Sequence, residues 1–154
     1  MWIPPEDIDP TVLHAPTRKS VGVFGAVRVH DGYLVTQQEK TFNGSSFQSF
    51  LHQLLRHSRK GKKMLVILDN AHWHRARTLT PWLHQHRAKL SLDFLPPYSP
   101  DLNPIERAWK LTRRLCTHNR YFPDLEDLID AVQAVVGRLD QLPRLRLRLK
   151  LHHP

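Results

Sequence analysis

The chain predicts a mixed α/β sheet domain, because a β-hairpin comes first and helices and strands alternate after it. The hairpin is signalled by Ser20 to Val29, rich in Val and Phe, a His30-Asp31-Gly32 turn, and Tyr33-Leu34-Val35-Thr36-Gln37. The alternation is signalled by two short apolar runs, Met64 to Leu68 and Leu90 to Leu95, each flanked by segments of helical periodicity. At 154 residues the chain suits one domain with a real core.

Met1 to Pro16 holds Pro4, Pro5, Pro10 and Pro16, too many for a helix or an inner strand, so residues 1–17 read as an irregular lead-in. After the hairpin, Ser45 or Ser46 can cap a helix whose Phe47, Phe50, Leu51, Leu54 and Leu55 recur at helical spacing, and Lys60-Gly61-Lys62-Lys63 ends it. Met64 to Leu68 is then a short buried strand that delivers Asp69 to the edge of a sheet. A helix over about 76–86 places Leu79, Trp82 and Leu83 on one face. In the next strand Ser91 and Asp93 alternate with Leu90, Leu92 and Phe94.

A proline-rich turn leads to a helix over 104–116, and Asp124 caps a last helix through Leu125, Leu128, Ile129, Val132, Val135 and Val136. Pro143 closes that order, so the core spans residues 18–142 and a basic tail covers 143–154. In the tail, Arg144, Arg146, Arg148 and Lys150 alternate strictly with leucines. Extended, it would set four cations on one face for a phosphate backbone, although a disordered tail is the simpler reading.

Lys and Arg total 23 against 14 Asp and Glu, a formal charge of +9, which favours an anionic partner such as nucleic acid over an acidic or neutral one. The single cysteine, Cys116, excludes an internal disulfide framework and fits a reducing compartment. No apolar run approaches the roughly 20 residues of a membrane span, and the N-terminus lacks a signal-peptide layout, so a cytoplasmic protein is expected.

Two acids can converge at one end of the sheet: Asp69 after its strand and Glu106 in the first turn of its helix. Paired carboxylates can bind hard divalent cations, and two such ions can activate water and stabilise a leaving oxygen in phosphodiester hydrolysis. A structural alternative stands beside this: Asn103 as N-cap, Pro104 at the first helical position and Glu106 reaching back form a capping arrangement. Asp69 with Asn70 can equally be a turn former.

Leu68-Asp69-Asn70-Ala71-His72-Trp73-His74, followed by Leu95-Pro96-Pro97-Tyr98-Ser99-Pro100-Asp101-Leu102-Asn103-Pro104-Ile105-Glu106, resembles the catalytic core of DDE transposases of bacterial insertion sequences allied to the mariner superfamily. The 36 residues between Asp69 and Glu106 are close to that family's spacing, and the resemblance runs from about Arg18 to Val136. It implies a ribonuclease H-like fold, Mg²⁺ or Mn²⁺ as cofactor, and DNA, both transposon ends and target, as substrate. By it Asp69 and Glu106 are the second and third metal-binding acids, Asn70 and His74 flank the site, and Pro97, Tyr98, Ser99 and Asn103 shape the turn that aims Glu106. For His74 a surface position is an equal alternative; Trp109 belongs to the core rather than to base stacking. Arg107, Lys110, Arg113 and Arg114 on the same helix, with the tail cations, are the DNA-binding candidates.

The family's first acid lies on a first strand, about a dozen residues ahead of a tryptophan that corresponds here to Trp2. Glu6, Asp7 and Asp9 lie in the proline-rich lead-in and are not candidates for it. The expectation is therefore a truncated core lacking its central first strand. Such a core is inactive alone and is completed by a second copy or an upstream polypeptide. A non-catalytic DNA-binding remnant or regulator of transposition is the competing class. A histidine-based metal protein, suggested by His72, His74, His84, His86, His152 and His153, is a weaker one, because residues two apart on a helix face different ways.

Overall fold

The structure is a computed structural model describing residues 22–97, 99, 102–117 and 120–140. The lead-in, Tyr98 and the basic tail with Arg144, Arg146, Arg148 and Lys150 lie outside the described residues.

Strands β1 (Gly22–Val27) and β2 (Leu34–Glu39) pair antiparallel, with Gly22 opposite Glu39 and Val27 opposite Leu34. Asp31 organises the turn: it accepts from the Tyr33 amide and from Nε of Arg28 at 2.8 Å, while Gly32 supplies the positive φ of 77°. Bonding to the Arg28 guanidinium pulls the Asp31 pKa down from 3.8 to about 2, against a smaller opposing effect of burial. A depressed carboxylate pKa stabilises the fold above the unfolded value and loses that contribution as pH falls from 3.8 through about 2. The pair is partly exposed, so its worth is at most about 1 kcal/mol. Asp31→Asn should flatten the acid limb of stability between about pH 4 and pH 2, read by thermal melts across that range.

Helix α1 (Gly44–Arg56) begins two residues earlier than a serine cap would allow. Asn43 is the cap: its Oδ1 accepts from the Ser46 amide at 2.9 Å while its own amide donates to Ser46 Oγ at 3.0 Å. Ser46 is thus the reciprocal member of the box. Gly44 is required where the helix starts, since a Cβ there would lie 2.6 Å from Thr78 Oγ1. The helix stops at Arg56, ahead of the Lys-Gly-Lys-Lys segment, where the His57 amide bonds back to Leu54.

Strand β3 (Met64–Leu68) lies parallel to β4 (Leu90–Phe94), with Met64 opposite Leu90 and Leu68 opposite Phe94. Between them the helix expected from residue 76 is shorter. Two 3-10 turns, His72–Arg75 and Arg77–Leu79, precede α2 (Thr80–Gln85), which starts where Pro81 can occupy the first turn without an unmade hydrogen bond. Helices α3 (Pro104–Cys116) and α4 (Leu125–Asp140) complete the order.

The apolar face of α1 packs on both strand pairs: Phe47, Phe50, Leu51 and Leu54 meet Phe24 and Val35 of the hairpin and Val66, Leu68 and Leu90 of the parallel pair. The hairpin's opposite face is covered by α3 and α4 through Leu34, Ile105, Ala108 and Val136, with Trp109 packed against them. Trp109 is therefore a core residue. It lies against Gly25, where a Cβ would stand 2.3 Å from its Cζ2. Gly25→Ala should cost about 1–3 kcal/mol through that overlap, measured by urea unfolding.

The parallel pair is covered on one face only. Leu65 and Ile67 are 57% and 50% exposed, so β3 is half-buried rather than the buried strand its composition suggests. Parallel strands ordinarily have both faces covered. Among the described residues β1 and β2 form one two-stranded sheet and β3 and β4 another, so each strand has one hydrogen-bonded neighbour and one open edge.

Candidate functional site

The parallel pair ends at a pocket of about 380 Å³ lined by Asp69, Asn70, Leu95, Pro96, Pro97, Ser99, Asn103 and Glu106. Asp69 follows the last residue of β3, and Glu106 stands in the first turn of α3, so the two elements deliver one carboxylate each. The Leu95–Pro97 segment that leaves β4 begins with the Leu95 amide bonded to the Leu68 carbonyl at 2.8 Å, continuing the β3–β4 pairing to the pocket rim.

The Asp69 carboxylate is 55% exposed, yet one of its oxygens is fixed. Oδ1 accepts from the Ala71 amide at 3.2 Å and lies 2.9 Å from His74 Nδ1. Nδ1 also lies 3.3 Å from the Asp69 carbonyl. Both neighbours are acceptors, so Nδ1 carries the proton. Burial pushes the His74 pKa below its ordinary value, with Asp69 opposing that shift, so the ring is a neutral donor at pH 7. The His74 side chain is only 10% exposed and packs on Phe47, with ring centroids 4.4 Å apart, which removes the surface alternative for this residue. Oδ2 of Asp69 has no partner among the described residues.

The capping alternative for Glu106 is met only in part. Asn103 does cap α3, its Oδ1 accepting weakly from the Ile105 amide at 3.4 Å, and Pro104 occupies the first helical position. The Glu106 side chain, however, makes no reciprocal bond to Asn103. Glu106 is instead one of the residues that line the pocket.

Asn70 lines the pocket with its amide already occupied. Nδ2 donates to the Leu95 carbonyl at 2.7 Å, and Oδ1 accepts from Arg75 Nη2 at 2.6 Å. The Arg75 guanidinium lies 4.2 Å from the centroid of the Phe94 ring. Sequence reasoning passed over Arg75. The only available signal was its position one residue after His74 and six after Asp69, too generic to mark it without the fold.

On α3, Lys110, Arg113 and Arg114 are exposed, while Arg107 is half-buried and has an interaction partner. Cys116 is buried and its thiol pKa is raised by that burial, so it is not a nucleophile. Among the described residues no group of three His, Cys, Asp or Glu that could hold a metal ion occurs, and His152 and His153 lie outside those residues. His86 instead stacks on Trp82, whose indole N–H donates to His52 at 2.8 Å. No helix among the described residues is long and apolar enough to cross a membrane.

The fold and the pocket define the class of α/β domains in which a residue at a strand end and one at a helix start, here Asp69 and Glu106, line one open pocket. The match to known families is specific: residues 2–129 match the family described as DDE superfamily endonuclease, and the chain belongs to it. It is similar to the uncharacterized protein y4pE/y4sA of Sinorhizobium fredii (strain NBRC 101917 / NGR234), 32% identical over 121 residues covering 79% of this chain and 86% of that protein. It is also similar to the insertion element IS630 uncharacterized 39 kDa protein of Shigella sonnei, 28% identical over 97 residues. That match covers 63% of this chain and 28% of the Shigella protein, under a third of its length.

Endonucleases of this family generally use a divalent metal. The pocket's donor chemistry fits a hard cation in part: Asp69 and Glu106 offer carboxylate oxygens, whereas Asn70 is spent on Leu95 and Arg75, and Asn103 on its cap.

Proposed function

We propose that the chain is a transposase catalytic core, performing metal-dependent DNA strand cleavage and strand transfer at insertion-sequence ends. The observation that carries the reading is the convergence of Asp69 and Glu106 on one pocket within a chain of the DDE superfamily endonuclease family. Asp69 would hold Mg²⁺ or Mn²⁺ through the unengaged Oδ2, with His74 fixing the carboxylate through Oδ1; Glu106 would hold it from the rigid first turn of α3. Such a cation, when bound, activates water or a 3′-hydroxyl and stabilises the leaving oxygen. Lys110, Arg113 and Arg114, the half-buried Arg107, and the tail cations Arg144, Arg146, Arg148 and Lys150 would track the DNA backbone.

Two carboxylates are one short of the triad the family resemblance implies. We infer that a strand bearing a third acid pairs at an open sheet edge. It comes from outside the described residues, whether from this chain, a second copy or another polypeptide, and the described core alone cleaves DNA feebly or not at all. The setting is the cytoplasm, where DNA and reduced Cys116 coexist.

DNA binding tests the competing reading of a non-catalytic regulator. Affinity for duplex DNA should fall steeply with salt in either case. Addition of Mg²⁺ or Mn²⁺ should tighten binding to cleavable ends in the wild-type chain and not in Asp69→Ala. Binding identical in the two chains with and without metal would favour the regulator.

A further inference from the structure

We propose that Arg75 is a positioning residue of the pocket, and that it acts through Asn70. This rests on the reading of Asp69 and Glu106 as cation-binding carboxylates. Asn70 directly follows Asp69, and its side chain bridges to the chain leaving β4 by donating to the Leu95 carbonyl at 2.7 Å. A primary amide can make that bond in either of two flipped orientations only if the oxygen and nitrogen are interchangeable, and here they are not. The Leu95 carbonyl needs a donor, and Arg75 Nη2, 2.6 Å from Oδ1, needs an acceptor. The Leu95 carbonyl and the Arg75 guanidinium therefore together fix which way the amide points, and Arg75 holds its oxygen end. The guanidinium is itself held flat against Phe94, the last residue of β4, at 4.2 Å.

The result is a closed loop of contacts from Asp69's neighbour, across to β4, through an aromatic ring, and back by way of Arg75. It fixes the spacing between the Asp69 end of β3 and the Leu95–Pro97 segment that leads toward Glu106. It also removes the Asn70 oxygen from the pool of cation ligands. A positive charge beside a cation site would by electrostatics alone weaken metal binding, so the sign of the effect separates positioning from charge.

The test is Mn²⁺ affinity of the full chain, followed by electron paramagnetic resonance titration, with thermal melts run in parallel. Arg75 is exposed, so its variants should fold. Arg75→Gln should weaken Mn²⁺ binding about 10-fold, the lower end of what losing an outer-shell partner costs, because the Asp69 end of β3 is then no longer held against the Leu95–Pro97 segment. Asn70→Ala should weaken it by a similar factor, and the double variant no further, because the two act as one unit. Arg75→Lys, which keeps the charge and loses the flat stack and fork, should resemble Arg75→Gln. Tighter Mn²⁺ binding in Arg75→Gln, an affinity unchanged despite a lower melting temperature, or additive losses in the double variant would each overturn the proposal. Asp69→Ala is the control: if Mn²⁺ binding is absent in wild type even when the chain is joined to a strand bearing the third acid, or is indifferent to Asp69→Ala, the cation site itself is refuted and this role of Arg75 with it. Loss in Asp69→Ala with no response at position 75 refutes Arg75 alone.

Discussion

Asp69→Ala and Glu106→Ala should each reduce metal-dependent DNA cleavage by about 10³-fold or more in a form that holds all three carboxylates, because each removes several kcal/mol of transition-state stabilisation carried through the cation. The two substitutions should differ in their side effects. The Glu106 side chain makes no hydrogen bond among the described residues, and its amide bond to the Asn103 carbonyl survives truncation, so Glu106→Ala should leave the melting temperature within a degree or two, an expected ΔΔG of about 0.5 kcal/mol or less. Asp69 accepts from the Ala71 amide and from His74, so Asp69→Ala leaves a part-buried imidazole only the more distant Asp69 carbonyl and should cost about 1–3 kcal/mol as well as activity. Steady-state cleavage of an end-sequence duplex, paired with melts, separates these effects. A Glu106→Ala protein that cuts normally would return Glu106 to a purely local role in its helix.

Phe47→Ala should have the largest effect on stability, about 3–5 kcal/mol, a large share of the about 5–15 kcal/mol typical of a whole domain. The side chain is 1% exposed and lies at the junction of three parts of the fold. Its ring meets Phe24 of the hairpin at a centroid distance of 5.8 Å and His74 at 4.4 Å. Truncation leaves a cavity that α1 cannot close without pulling away from one sheet, and it deprives His74 of the surface that keeps its Nδ1 on Asp69. Urea unfolding should show a lower midpoint with an unchanged slope. Phe47→Leu, which keeps most of the apolar volume, should lose markedly less.

The element order was legible because each signal is local. The hairpin read as 20–29 and 33–37 around its turn forms at Gly22–Val27 and Leu34–Glu39, the apolar run marked Met64–Leu68, the strand read as 90–95 forms at Leu90–Phe94, and Asn103-Pro104 marked the start of α3. What stayed hidden depends on contacts distant in sequence. Ser45 and Ser46 look like caps as readily as Asn43 does, and the choice is made by Gly44 fitting against Thr78 and Ala76. The apolar run of β3 says nothing about how many faces are covered, so the exposure of Leu65 and Ile67 emerged only from the fold. At the site, the two acids stood out by their places at a strand end and a helix start. His74 could be read as a surface residue until Phe47 was seen beneath it, and Arg75 gained meaning only when Asn70 and Phe94 were brought to it.

A DNA nicking assay with Mg²⁺ and Mn²⁺ on an insertion-sequence end tests the central claim most directly. It compares this chain with the same chain joined to an upstream strand bearing an acid. Cleavage in the joined form alone, abolished there by Asp69→Ala or Glu106→Ala, is the expected result. Equal cleavage by both forms would mean that an acid within residues 1–154 already completes the site, and would contradict the account of a two-carboxylate core awaiting its third.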